Sequence, residues 1–206
     1  MELRSLLYAI PIAVVGGLIF KSTSKGKFKE EIVNGSLSEA SDASTDGYVK
    51  EIHIGQINSK RRHLYRVGSW GAANIAGGAA LYAGSGDNAL SDFGLQSGLW
   101  GLVNTGIAVG GLSGTDAITE DYSEALRSER NYNDILLLNL GLNVGYIGVG
   151  TAMVVAGMQG VSKADKWQGH GSAIILQGLG LLMLDAVTWL GSRDRISKLL
   201  DLSKDQ

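Results

Sequence analysis

The chain has 206 residues, enough for one domain or one small helical bundle, and a net charge of −2, too weak a bias to point to a nucleic-acid partner. It has no cysteine, which excludes disulfides, thiolate metal sites and cysteine catalysis. Thirty glycines stand against a single proline, and most of the glycines fall inside apolar runs.

The first segment, residues 1–20, contains an apolar run at 6–20. Arg4 alone precedes it, and four lysines follow it within nine residues. Its length suits a signal-peptide core better than a full span. No small-x-small cleavage site closes it, which favours a retained anchor with its N-terminus outside over a cleaved signal. Residues 21–66 read as a basic polar linker. Within it, 22–47 has the composition of a flexible segment, and 48–57 suits a short strand or a segment lying on the membrane interface.

Four apolar stretches follow, at 67–84, 93–112, 135–158 and 172–191, and only the last holds a charge, Asp185. About 20 such residues cross a hydrocarbon core of ~30 Å as a helix at 1.5 Å per residue. Glycine weakens helices in water but is common in membrane helices, where it lets backbones approach. The expected fold is therefore all-α: a polytopic transmembrane bundle of two tandem hairpins, four spans within 67–191, beside the N-terminal anchor or signal segment. Gly84-Ser85-Gly86-Asp87-Asn88 reads as the turn of the first hairpin.

A charged connector at 113–134 joins the hairpins. Ile118, Tyr122, Ala125 and Leu126 make one apolar stripe on it, suited to lying along the membrane surface. The tail, 192–206, repeats the device with Ile196, Leu199 and Leu200. Fifteen of the 18 Lys and Arg fall in 21–66, 113–134 and the tail; only Arg4, Lys163 and Lys166 fall elsewhere. The positive-inside rule then places those three blocks, and the C-terminus, in the cytoplasm of a cell whose inner membrane holds the spans.

Each apolar stretch carries an amide or carboxylate deep inside: Asn74, Asn104, Asn143 and Asp185. Gln96 lies eight residues before Asn104, and Gln177 eight before Asp185, which suggests a duplicated hairpin with parallel copies. An unpaired amide in hydrocarbon costs several kcal/mol, so each must find a partner. The amides suit helix-to-helix bridging. Asp185 asks for more. A carboxylate near a helix centre costs about 2.5–3.5 kcal/mol on insertion scales, and no Lys or Arg lies inside another span. It is expected protonated, or solvated by a small polar cavity, with Asn104, Asn143 or Gln177 as its partner. Gly68-Ala72-Ala76, Gly94-Gly98, Gly106-Gly110 and Gly141-Gly145 repeat small residues at four-residue spacing, a helix-contact signal within or between chains. Trp70, Trp100 and Trp189 read as packing or interface residues, and Tyr146 joins the polar set.

The sequence contains no phosphate-binding loop, nucleophile elbow or metal-ligand spacing among its histidines. No cofactor, metal or nucleic acid is expected. Trp70-x3-Asn74, Gln96-x3-Trp100-x3-Asn104, Asn139-x3-Asn143-x2-Tyr146 and Gln177-Gly178 followed by Asp185 resemble an uncharacterised family of small bacterial four-helix integral membrane proteins, a domain of unknown function. The resemblance covers about residues 67–191. It implies a membrane bundle and no substrate. Its pattern has an acid near the Asn143 position, where this chain has an amide.

The leading expectation is a non-enzymatic structural or assembly component of the membrane, partnered by the bilayer and oligomeric through its small-residue faces. The alternative is a small-solute transporter or channel-like module with a polar, proton-coupling centre at Asp185. Asn104, Asn143, Gln177, Gln96, Asn74 and Tyr146 would surround it. An intramembrane enzyme is a third reading.

Overall fold

The computed structural model describes residues 38–203 except residue 115, with side chains from residue 45 onward. The N-terminal anchor or signal segment, the first part of the expected linker and the last three residues of the tail lie outside the described residues. Four helices make up the rest: α1 (Ser38–Gly84), α2 (Asn88–Leu112), α3 (Tyr122–Met158) and α4 (Ala164–Leu202). The four apolar stretches fall inside these four helices, as the sequence leads one to expect, and the described residues contain no strand.

Three helices are much longer than the apolar stretches. At 47, 37 and 39 residues, α1, α3 and α4 run well past the 25-residue α2. Their surplus turns gather at one end of the bundle, called the polar end below. Residues 38–66, read from sequence as linker, are continuous helix, and so is 48–57, where a strand or interfacial segment is expected. The reason is a buried face spaced by three and four: Val49, Ile52, His53, Gln56, His63, Leu64 and Val67 are all buried. Three of those seven residues are polar, so apolar periodicity alone passes over the face.

The connector and tail also depart from expectation. Tyr122, Leu126 and Leu202 pack around a small core of Val49, Ile52, Ala125 and Leu199. The stripes read as membrane-surface anchors thus meet each other and α1, closing a three-helix extension; Ile118 alone of the first stripe stays exposed. Helix α3 starts at Tyr122 because Asp121 caps it, its carboxylate accepting from the Glu124 amide at 2.7 Å. The Ser123 hydroxyl and that amide hold the Asp121 carboxyl below its usual value. Lys50–Glu120 (2.6 Å) and Lys60–Asp116 (2.7 Å) tie the connector to α1.

The hairpins α1–α2 and α3–α4 repeat and run the same way. Helix α4 is antiparallel to α1, since His63 meets Asp185 while Trp70 meets Gln177. It is parallel to α2, since His170 lies near Asp92 while Gln177 meets Asn104. Each hairpin closes on a glycine contact. A Cβ at Gly101 would stand 2.5 Å from the Gly71 carbonyl oxygen, and one at Gly150 would stand 2.6 Å from that of Gly171. Only hydrogen at these positions lets the backbones touch. The other small-residue pairs divide: Gly94 packs against α1, whereas Gly106, Gly110, Gly141 and Gly145 have nothing against them among the described residues.

Two of the helices, α3 and α4, are long and apolar enough to cross a membrane.

Candidate functional site

Helix α4 is the axis of the polar interior. His170, Gln177, Asp185, Thr188 and Ser192 are all buried on it, at spacings of three, four, seven and eight that keep them on one face. Three polar layers result, roughly 11–12 Å apart at 1.5 Å per residue.

The layer farthest from the polar end centres on Gln177, which is fully buried. Its amide nitrogen donates to Asn74 Oδ1 at 2.5 Å, and its carbonyl accepts from Trp70 Nε1 at 2.9 Å and Asn104 Nδ2 at 3.4 Å. Asn74 also donates to the Trp70 carbonyl one turn back. One amide of α4 thereby holds α1 and α2, the bridging role read from the sequence. Trp70 belongs to this layer, beyond the packing role assigned to it, and Gly180 gives its indole room: a Cβ there would lie 2.5 Å from Trp70 Cζ2. Gln96 is fully buried on α2.

The middle layer holds Asp185, which is 4 % exposed. Asn143 Nδ2 donates to its Oδ2 at 2.7 Å, as expected for one of the three amides proposed as its partner. Its second partner is a histidine that the sequence reading leaves out. His63, on the part of α1 read as linker, places Nε2 3.0 Å from Oδ1. Thr188 completes the group, its Oγ1 lying 3.0 Å from His63 Nδ1 and donating to the Leu184 carbonyl at 2.9 Å.

That last bond bears on the tautomer of His63. A hydroxyl has one proton to give. With Thr188 donating to Leu184, its oxygen can only accept from His63, so Nδ1 carries hydrogen. The 3.0 Å contact between Nε2 and Oδ1 then needs a second proton. It sits on the imidazole, making a His⁺–Asp⁻ pair, or on the carboxyl, making a neutral pair. Either way the centre carries no net charge. The arrangement is a buried polar site in which an imidazole bridges a carboxylate and a hydroxyl.

The third layer lies in the polar extension. Glu129, fully buried, accepts from Arg195 Nε at 2.8 Å and Nη2 at 3.0 Å and from Ser192 Oγ at 2.5 Å. Asn133 adds a bond to Ser192. A bidentate guanidinium with a third donor satisfies this carboxylate, which makes the layer a clamp between α3 and α4.

A cavity of about 130 Å³ opens among the helices beside Asp185. Asn104, Asn143 and Tyr146, proposed as site residues, line it together with Trp100, Asn139, His63 and Tyr132. Trp100 and Tyr146 meet edge to face with ring centroids 4.9 Å apart. The structure thus brings Asp185, Asn143, Asn104 and Tyr146 to one cavity, and joins Asn74 and Gln177 to it through Asn104. Sequence reasoning misses His63, Thr188 and Tyr132. A search for any ionisable group one turn outside each apolar stretch would have found His63, four residues before Val67.

Among the described residues no cluster of three or more His, Asp or Glu side chains has the arrangement of a metal site. No curated protein and no solved structure matches the chain. Residues 66–186, more than half of the sequence, match a family model described as a family of unknown function, DUF6992. The match holds Asp185 and all six residues grouped with it, and ends short of His63 on one side and Thr188 on the other. The chain is therefore a member of the DUF6992 family, and its described residues form four helices around a buried His–Asp centre.

Proposed function

We propose that this protein is a four-span membrane module whose His63–Asp185 centre takes up and releases a proton, and so couples protons to the passage of a small polar solute or of the proton itself. The observation that carries the reading is the 3.0 Å His63–Asp185 pair, bonded on both sides and set in the wall of a cavity. A network meant only as glue needs no acid–base pair and no free volume; the Gln177 layer does that work with amides and an indole.

Membrane residence is supported by where the apolar surface lies. Leu102, Val109, Leu137, Val144, Met183 and Leu190 are more than 45 % exposed, all within uncharged stretches or, for α4, around the one buried carboxylate. Patches of that extent on a soluble monomer face a partner or lipid. Helices α1 and α2 join α3 and α4 as spans through residues 67–84 and 93–112. The described residues of the basic blocks gather at the polar end, which the positive-inside rule puts in the cytoplasm.

The test is a proton-flux measurement. Wild type and Asp185→Asn are reconstituted into liposomes loaded with a pH-reporting dye, and a pH step is imposed. Wild type is expected to relax the gradient, alone or on adding a candidate solute, and a folded, monodisperse Asp185→Asn is expected to leave it standing. Equal relaxation by both proteins sinks the reading.

A second reading, a structural or assembly component, is favoured by one observation. Gly141, Gly145 and Gly148 on α3 have open space where a Cβ would stand, a surface suited to a helix of another copy. Cross-linking in membranes checks it: bulky replacement of Gly145 should lower any dimer yield. A yield that does not move removes this reading's support.

A further inference from the structure

We propose that the His63–Asp185 centre communicates with the polar end of the bundle alone, through two adjoining hydrated chambers divided by Tyr132 and Ile135 and covered by the Lys60–Asp116 ion pair. This rests on the proton-coupling reading and adds the side of access and the gate.

The inner chamber is the cavity of about 130 Å³ at Asp185. An outer chamber of about 180 Å³ lies in the polar extension, walled by His53, Gln56, Lys60, Asp116, Ser128 and Tyr132. The two share Lys60, Tyr132 and Ile135 in their walls, so they meet at those side chains. Each has room for several water molecules.

Buried polar atoms argue that both are wet. Trp100, 6 % exposed, lines the inner chamber, and its Nε1 has no protein partner. Gln56, 5 % exposed, lines the outer chamber, and its Oε1 has none either, its Nε2 being spent on Ser128. The Tyr132 hydroxyl at the partition is likewise unpartnered. Buried donors and acceptors without protein partners are satisfied by water or ligand, and these three mark the outer chamber, the partition and the inner chamber.

The charged groups along the route set its character. Toward Asp185, α1 presents His63 and Lys60, and α3 presents Tyr132 and Tyr146. Helix α2 lines the inner chamber with uncharged residues only. Burial pushes the Tyr132 hydroxyl up, against the pull of Arg195, so it stays a neutral donor and acceptor able to relay a proton. Glu129 and Arg195 behind it are spent on each other. Asp116 holds Lys60 Nζ at 2.7 Å with both side chains partly exposed. That is the strength of contact that opens readily. Beyond Asp185 in the other direction stand the Gln177 layer and the contact at Gly78, where a Cβ would lie 2.5 Å from the Gly94 carbonyl oxygen. This end forms the seal.

The cysteine-free chain allows a direct test by single-thiol accessibility. Ser128→Cys reports the outer chamber and Asn139→Cys the inner one. The full chain is placed in nitrate-buffered vesicles, with a cleavable tag at the C-terminus showing which way it faces. Silver ion is added on one side, and protection from a later maleimide label is read. Silver from the polar-end side is expected to protect both thiols, and silver from the other side neither. Asp116→Ala should speed protection of Asn139→Cys by up to about fivefold, the range of one weak ion pair. Ile135→Trp should slow it and leave Ser128→Cys unchanged. Protection of Asn139→Cys from the opposite side, or its failure from the polar-end side, overturns the proposal. Flux with the wrong sidedness would refute this route and spare the proton-coupling reading; correct sidedness without flux would do the reverse.

Discussion

The His63–Asp185 pair makes a quantitative prediction about stability. The two side chains are 7 % and 4 % exposed, so His63→Ala leaves a buried carboxylate held only by Asn143. Breaking a buried pair from one side costs about 3–5 kcal/mol. The neighbouring chamber lets water reach Asp185 and pulls the expected value to the low end, about 3 kcal/mol. Asp185→Asn is milder: the amide keeps one acceptor oxygen where the carboxylate offers two, so about one hydrogen bond is lost, ~1 kcal/mol. The double variant has no stranded charge and should lose only about 2 kcal/mol in all, against about 4 kcal/mol if the effects added, a coupling well outside the ~0.5 kcal/mol scatter of independent sites. Reversible unfolding of the detergent-solubilised protein in a denaturing-detergent titration measures all three. If the double variant sits at the sum of the singles, the contact does not carry the charge balance assigned to it, and the proton-coupling reading loses that support.

Gly180→Ala pushes a methyl to 2.5 Å from Trp70 Cζ2; overpacking of this kind costs about 1–3 kcal/mol, and near-UV circular dichroism should report a displaced indole. Asp121→Ala should cost about 0.5–2 kcal/mol at neutral pH as a lost helix cap. The folded carboxyl lies below its unfolded value of 3.8, so its stabilisation is present above that pH and fades as pH falls through the folded value; thermal melts of wild type and variant should converge in strong acid, and a constant gap would contradict the assignment. Arg195→Ala strands Glu129 and should cost about 3–5 kcal/mol, with Glu129→Gln added to it restoring part of the loss. Lys198→Ala, which breaks only an exposed pair with Asp194, should leave the melting curve in place; equal effects of the two would mean the third layer is no clamp.

The inner parts of the four helices are legible because their chemistry is one-sided: long uncharged runs with glycines leave helix as the only backbone arrangement that satisfies itself without water. The polar end was not legible for the opposite reason. Its buried face mixes Val49, Ile52 and Leu64 with His53, Gln56 and His63, and each polar member finds a partner distant in sequence. His53 accepts from the Thr119 amide, Gln56 donates to Ser128, and His63 meets Asp185 and Thr188. No local pattern announces such pairings. The same blindness made Asp185 look alone, because the search for a counter-ion stopped at the ends of the apolar stretches and counted only Lys and Arg. Ala125 and Leu199 misled differently: an apolar stripe on a charged helix reads the same whether it faces lipid headgroups or other helices.

The duplicated hairpin gives Asp185 its meaning. Asn104 and Asp185 hold matching places, each eight residues after a buried glutamine. Asn104 turns to Gln177 of the other hairpin, an amide answering an amide, with no proton to exchange. Asp185 faces His63 because α1, antiparallel to α4, brings an imidazole to that level of α4 beside the last turn of α2. The two copies thus meet different surroundings, and the acid stands where the longer helix supplies a base. Breaking the symmetry at one position turns a bridging amide into an acid–base pair, and the chamber at its side gives that pair something to exchange with. The centre needs the acid and the imidazole of α1 together. This is why Asp185→Asn tests function while Asn104→Asp, with no imidazole shown opposite, is expected only to destabilise.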